Sequence, residues 1–294
     1  MDTKGTTSTD FKGLKLQSRG KVRDIYEVAN SLLVVATDRI SAFDVIMPNP
    51  IPGKGEILTR MSVFWFNMMT DIVENHLLST DPFDFPGECG PYREKLAGRA
   101  MLVKKAKPFP VECVVRGYLS GSGWKDYLES RTVSGIKLPA GLRESARLAD
   151  PLFTPSTKAP EGKHDMPITR KDMEDTIGSE ETKKIIEKSL TIYARASRHA
   201  EEAGIIIADT KMEFGIIEDR LILIDELLTP DSSRFWPRED YEEGRSQKSF
   251  DKQFLRDYLL SINWNQKPPA PNLPDEIIRQ TKKKYEEALN RLVK

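Results

Sequence analysis

Along this chain, hydrophobic positions either alternate, run together or recur every three to four residues, and each pattern predicts a different element. Residues 21–28 and 31–37 read as two strands around a tight Ala29–Asn30 turn. The second is apolar throughout, which predicts burial on both faces. Leu58, Met61, Trp65, Met68 and Ile72 form the apolar stripe of a helix over 56–74. Strand-like residues then run into Pro108 and Pro110, which predict a hinge near 104–110, and a strand resumes over 111–119. Residues 131–168 are rich in Pro, Gly and Thr and predict a long excursion with little regular structure. Ile185, Ile186, Ser189, Tyr193, Ala196 and Ala200 mark a helix that stops at Gly204. A buried strand, GIIIAD, follows, and MEFGII and RLILID flank Glu218-Asp219 as a hairpin. Phe250, Phe254, Tyr258 and Ile262 define another helix, and Pro274 opens the last, with Ile277, Ile278, Tyr285 and Leu289 facing inward. The sum is an α+β protein, with an N-terminal lobe over 1–104 and a larger C-terminal lobe over 105–294.

Composition narrows the function. The 294 residues suit one large domain or two smaller ones, and 38% hydrophobic against 31% charged residues is ordinary for a packed, soluble chain. Lys plus Arg and Asp plus Glu both number 45, so no net charge draws the chain to nucleic acid or an anionic membrane. Any anionic ligand must be held by local groups. No run of 18 apolar residues predicts a membrane span, and the polar start MDTKGTTSTDFKG lacks the apolar core of a secretory signal. Cys89 and Cys113, without a CxxC pairing, predict reduced thiols in a cytoplasmic protein. His76, His164 and His199 do not cluster, which argues against zinc.

The hairpin carries the most chemistry. With the turn centred at Asp219, Glu213 faces Asp225; a slip of one residue brings it opposite Glu226 instead. Two opposed carboxylates repel unless a divalent cation lies between them, and oxygen-only ligands favour Mg²⁺. Asp209, Lys211 and Glu213 alternate and share a face, which makes Lys211 a phosphate-facing cation. The competing reading is a solvated hairpin with a charged outer face. Arg19, Gly20, Lys21 and Arg23 form either a phosphate-binding loop or a basic turn. Arg116 followed by Ser120, Gly121, Ser122 and Gly123 forms either an anion cradle at a helix start or a simple cap. PDSSRFW repeats that logic with Asp231, Ser232 and Arg234, while Asp38, Arg39, Ser41 and Asp44 follow a buried strand directly. No nucleophile–base pair is visible, which favours phosphate transfer by positioning and electrostatics.

The stretches RGKVRDIYEV, TDRISAFD, VECVVRGYLSGSGW, KMEFG and DELLTPDSSRFW, in that order, closely resemble the phosphoribosylaminoimidazole-succinocarboxamide synthases (SAICAR synthetases), and FTPSTKAPEGKHD resembles the longer form of that family. The resemblance implies two α+β lobes around an ATP cleft. It implies the joining of CAIR, a carboxylated aminoimidazole ribonucleotide, to L-aspartate, with ATP as co-substrate and Mg²⁺ as cofactor. Gly20, Lys21 and Arg23 match positions over the ATP phosphates, and Met101, Val103 and Lys104 match those at the adenine. Glu213 and Asp225 match the metal and nucleotide carboxylates. Arg116, Ser122 and Arg234 match the nucleotide substrate's surroundings, with Arg234 at its phosphate. Lys211 would lie between metal, substrate and transferred phosphate, so Lys211 and Arg234 are the expected catalytic pair. Asp231 and Ser232 would reach the phosphorylated substrate. Asp38, Arg39, Ser41 and the Lys158–Asp165 loop are the candidates for aspartate. The partners expected are these small molecules alone, with the protein a monomer or homodimer. A small-molecule kinase and a non-catalytic nucleotide-binding module are the alternatives.

Overall fold

A computed structural model of the chain describes residues 5–158 and 165–293. The polar start is thus described from Gly5, and within the Lys158–Asp165 candidate loop residues 159–164 lie outside the described residues.

The N-terminal part is built on a five-stranded antiparallel sheet. Strands β1 (Lys15–Arg19), β2 (Arg23–Val28) and β3 (Ser31–Ala36) form a meander, and a two-residue ladder, β4 (Ser41–Ala42) with β5 (Val45–Ile46), follows. Helix α1 (Lys54–Met68) then leads to β6 (Leu77–Ser79), the short α2 (Arg93–Leu96) and β7 (Ala100–Lys104), giving the order β1-β2-β3-β7-β6. Alternation on β3 explains its apolar run. Val34 joins the main core, whereas Leu33 and Val35 face a second apolar cluster with Tyr26 and Phe11. Met101 and Leu102 divide the same way on β7.

The chain crosses to the second sheet through β8 (Lys107–Pro108) and β9 (Val111–Tyr118), at the proline-marked hinge. Helix α3 (Gly121–Ser130) and the small ladder of β10 (Thr132–Val133) and β11 (Ile136–Lys137) follow. The expected structureless excursion then proves to contain an eleven-residue strand, β12 (Arg147–Thr157), paired with β9. Its Pro151 and Pro155 hide it in the sequence, but β12 lies at the sheet edge, where a missing N–H is tolerated. Helices α4 (Arg170–Ile177) and α5 (Ser179–Glu202) precede β13 (Ile205–Ile217), β14 (Arg220–Ile224) and β15 (Ser233–Pro237). Helices α6 (Gln253–Ser261) and α7 (Asp275–Leu292) complete the fold.

Strand β13 organises this half because it changes partners along its length. Its first half pairs with β15, its middle with β9, and its second half with β14 and β8. One apolar cluster, running from Val34 and Trp65 through Val115 to Phe214 and Leu289, joins the two sheets. Helix α1 ends at Met68, six residues before the end expected from its stripe. Ile72 still packs in the core, but the backbone has turned to bring Asn75 beside Leu223 of β14. Gly55 allows α1 to start against β3, since a Cβ there would stand 2.3 Å from the Ala36 carbonyl oxygen.

His76 sits at this junction of the sheets. Its N–H donates to Leu223, its carbonyl accepts from Lys104, and its ring packs edge-on against Phe66. Burial first, and Arg23 second, push the imidazole down to about 3. The unfolded chain therefore binds a proton below about 6.5 that the folded chain refuses until about 3, so stability is complete above that window and drains away as pH falls through it. His76→Gln should remove this component. Urea unfolding between pH 6.5 and 4.5 should fall less steeply in the variant, by up to about 1.4 kcal/mol per pH unit. Identical slopes for variant and parent would refute the account.

Candidate active site

The site grows from the middle of β13, where Asp209, Lys211 and Glu213 point to one face and Thr210 and Met212 to the other. Register fixes their neighbours: Asp209 lies beside Arg116 of β9 and Arg234 of β15, and Lys211 beside Val114. The ladder with β9 ends one step further, at Met212 beside Cys113, and Glu112 and Glu213 are linked through Lys211, which contacts both. The result is a stripe of alternating charge across the sheet.

At one end, Arg116 and Arg234 share Asp209. The Arg116 guanidinium is 3.2 Å from the Asp209 carboxylate, and Arg234 donates to the same oxygen. Arg116 also donates to Ser122 at 3.1 Å and to Thr154 of β12 at 3.1 Å. Gly121 leaves room for this arrangement, because a Cβ there would stand 2.2 Å from the Arg234 guanidinium. A cavity of about 180 Å³ opens here, lined by Arg116, Lys211, Ser232, Arg234, Lys252 and Arg256 among others. Asp209 holds the Arg234 charge more firmly than usual, against the opposing effect of burial.

At the other end, Lys211 donates to Glu112 at 2.9 Å and to Glu213 at 2.6 Å, and Lys158 donates to the second oxygen of Glu213. Burial alone would raise the Glu213 carboxyl and lower the Lys211 ammonium, but each partner's charge wins and reverses both shifts. Burial prevails at Glu112 and Glu226 and raises both carboxyls.

The hairpin differs from expectation by one residue. Glu218 and Asp219 both take positive φ (49° and 62°), a two-residue turn whose centre falls between residues, so Glu213 pairs with Ile224 rather than with Asp225 or Glu226. Asp225 lies just past the end of β14 with φ 69°, and Arg23 of the first sheet grips it, at 2.7 Å and 3.0 Å on its two oxygens. Glu213 and Asp225 still act on the same two cations, Arg23 and Lys211.

The other sequence candidates divide. Gly20 and Lys21 form the β1–β2 turn, where both carbonyls accept from Arg39 and Lys21 pairs with Asp44. Met101 and Val103 point into the core, so a ligand at the hinge would meet backbone at Lys104 rather than those side chains. Asp38 and Arg39 are spent inside the first lobe. Asp38 accepts from the Thr6 and Gly55 amides and from Arg99, and Arg39 donates to Thr7, Gly20, Lys21 and Asp24. Ser41 is buried in β4. Asp231 is the sharpest departure. Its carboxylate is 2% exposed and is held by Lys54 at 2.6 Å, Tyr285 at 2.7 Å and Lys252 at 3.4 Å, so although Asp231 lines the cavity its oxygens are already engaged in anchoring the loop. Lys252 and Lys54 keep it ionised although burial opposes this.

Sequence reasoning missed Lys54, Glu112, Lys252 and Arg256. The last two are four residues apart at the start of α6, a spacing that places both on one helix face. Among the described residues, no three His, Cys, Asp or Glu side chains are arranged to hold a metal alone. Two acidic oxygens without a third protein ligand fit Mg²⁺, which keeps water and substrate phosphates in its shell.

With this geometry, the sequence profile of SAICAR synthetase matches residues 16–271. The chain belongs to the SAICAR synthetase family. It is 62% identical over 285 residues to the phosphoribosylaminoimidazole-succinocarboxamide synthase of Desulfosudis oleivorans, covering 97% of both chains. It is 60% identical over 279 residues to that of Thermodesulfovibrio yellowstonii, covering 95% of both. The SAICAR-synthase of Saccharomyces cerevisiae, solved in complex with SAICAR, superposes with a TM-score of 0.89 at 46% identity, covering 98% of this chain and 97% of that one. An ADP complex of a SAICAR synthetase shares the fold at 23% identity, with a TM-score of 0.68.

The Asp231 anchor makes a stability prediction. Tyr285→Phe should cost about 1.5–3 kcal/mol, the worth of a hydrogen bond to a buried charge. Lys54→Met should cost about 3 kcal/mol, and pairing it with Asp231→Asn should recover part of that loss. Additive losses in denaturant unfolding would contradict a shared anchor.

Proposed function

We propose that this member of the SAICAR synthetase family joins CAIR to L-aspartate with ATP as co-substrate, forming SAICAR, ADP and phosphate. The observation that carries the site assignment is the place of Lys211, which lines the basic cavity and also donates to Glu213. One ammonium thus touches both a metal-type carboxylate, Glu213, and the anion pocket, as a group between the phosphoryl donor and its acceptor must.

Glu213 and Asp225 would hold Mg²⁺, which when bound would supply positive charge to the nucleotide phosphates. Arg116, Ser122 and Arg234 hold the nucleotide substrate, with Arg234 at its phosphate and Lys252 and Arg256 completing the basic wall. The CAIR carboxylate attacks the γ-phosphorus and ADP leaves. The resulting acyl phosphate is opened by the aspartate amine, and inorganic phosphate departs with one former carboxylate oxygen. No protein nucleophile takes part. Lys211 and the arginines supply positioning and charge stabilisation. Lys158, which pairs with Glu213, is kept as a candidate for the amino-acid substrate.

Oxygen-18 in the CAIR carboxylate should appear in the released phosphate, and ADP release should require aspartate. ADP formed at full rate without aspartate would support a kinase instead. Glu213→Ala and Asp225→Asn should each lower kcat by about 10²–10³ while thermal unfolding shows a folded protein. Near-normal turnover in either variant would overturn the metal assignment.

A further inference from the structure

Arg23 belongs to the first sheet and Asp225 follows β14 of the second, 202 residues apart, yet the two are in direct charged contact. Nη2 donates to one carboxylate oxygen at 3.0 Å, and Nη1 lies 2.7 Å from the other. Glu226 approaches the same guanidinium at 3.6 Å. The Arg23 and Asp225 side chains are 16% and 22% exposed, so both charges are largely out of water. Glu213 is occupied too, one oxygen by Lys211 and the other by Lys158. Both carboxylates assigned to the metal are therefore already neutralised by the protein's own cations.

This arrangement constrains how a metal can bind. A bare divalent ion taking Asp225 would displace Arg23 and leave a buried guanidinium without its bidentate partner, with Glu226 at 3.6 Å and the more distant Glu213 as its remaining acids. Stripping one partner from a buried pair is strongly unfavourable. A metal arriving with a triphosphate brings its own anion for Arg23, and no charge is left alone. Resting on the assignment of Asp225 to the metal–nucleotide site, we infer that Arg23 is a built-in stand-in for the metal: it occupies Asp225 in the free enzyme and passes to the nucleotide phosphates when metal and nucleotide enter together. Arg23 thereby couples the two ligands, each raising the other's affinity by the same factor.

The test uses Mn²⁺ as the probe, followed by electron paramagnetic resonance of the free ion, with and without a non-hydrolysable ATP analogue. Arg23→Gln should bind Mn²⁺ alone about ten-fold more tightly than the parent and the metal-free analogue about ten-fold more weakly. Arg23→Lys keeps the charge but can occupy only one Asp225 oxygen, so its Mn²⁺ affinity should fall between the two. It decides the matter by itself if the glutamine variant does not fold. Adding Asp225→Asn to Arg23→Gln should abolish the gain. Unchanged or weaker Mn²⁺ binding in both single variants overturns the inference, as does a gain that survives loss of Asp225. If Asp225→Asn alone leaves the Mn²⁺–analogue complex intact, the metal assignment itself has failed. If it weakens that complex while the Arg23 variants leave Mn²⁺ binding unchanged, only the stand-in role has failed.

Discussion

An ionised carboxylate taken out of water costs several kcal/mol unless a cation meets it, and this requirement shapes the whole cleft. Every acid on the central stripe has a basic partner at contact distance: Asp209 with Arg116 and Arg234, Glu213 with Lys211 and Lys158, Asp225 with Arg23, and Asp231 with Lys54 and Lys252. The period-two alternation of a strand puts Asp209, Lys211 and Glu213 on one face, and the change of partners along β13 determines which charges flank each. Had β13 a single neighbour along its length, one strand would have to supply all of those counter-charges.

The same requirement ties the lobes together. Arg23 crosses from the first sheet, and Lys54 leaves the start of α1 to reach a loop 177 residues on. These contacts lie beside an apolar core that both sheets share, and the proposed exchange at Arg23 would leave that core untouched. Asp225 is suited to such exchange. It stands beyond the end of β14 in a left-handed conformation that Asp tolerates better than most residues, and no ladder bond of β14 fixes it.

Much of this was legible in the sequence because the signals were local. Alternation at 209, 211 and 213, the small residues after Arg116 and the apolar stripes of α5 and α7 each need only neighbouring positions. The family resemblance added roles for those residues that spacing alone left open. Register was not legible to the last residue. A two-residue turn is centred between positions, and that half-step moves the partner of Glu213 from Asp225 to Ile224. The role of Asp231 was hidden for another reason. An acid in a Pro-Asp-Ser-Ser loop reads as exposed, and only the fold brings Lys54 and Tyr285 to it. Strand β12 was masked by two prolines that would disqualify a central strand but not an edge.

A chain with no net charge nevertheless separates charge inside its cleft. At the hairpin end, Arg23, Lys158 and Lys211 face four carboxylates: Glu112, Glu213, Asp225 and Glu226. Around the cavity, Arg116, Arg234, Lys252 and Arg256 outnumber Asp209, Asp231 and Asp251. The first end has an acidic surplus suited to a divalent ion, the second a basic surplus suited to a phosphorylated anion, and Lys211 stands on their border. A phosphoryl group moving from one end to the other would travel toward positive charge held in place before the reaction begins. That is the condition under which fixed charges lower a barrier instead of merely binding a substrate. On the proposed route, such a site, assembled from ion pairs, would activate a carboxylate without a nucleophile of its own.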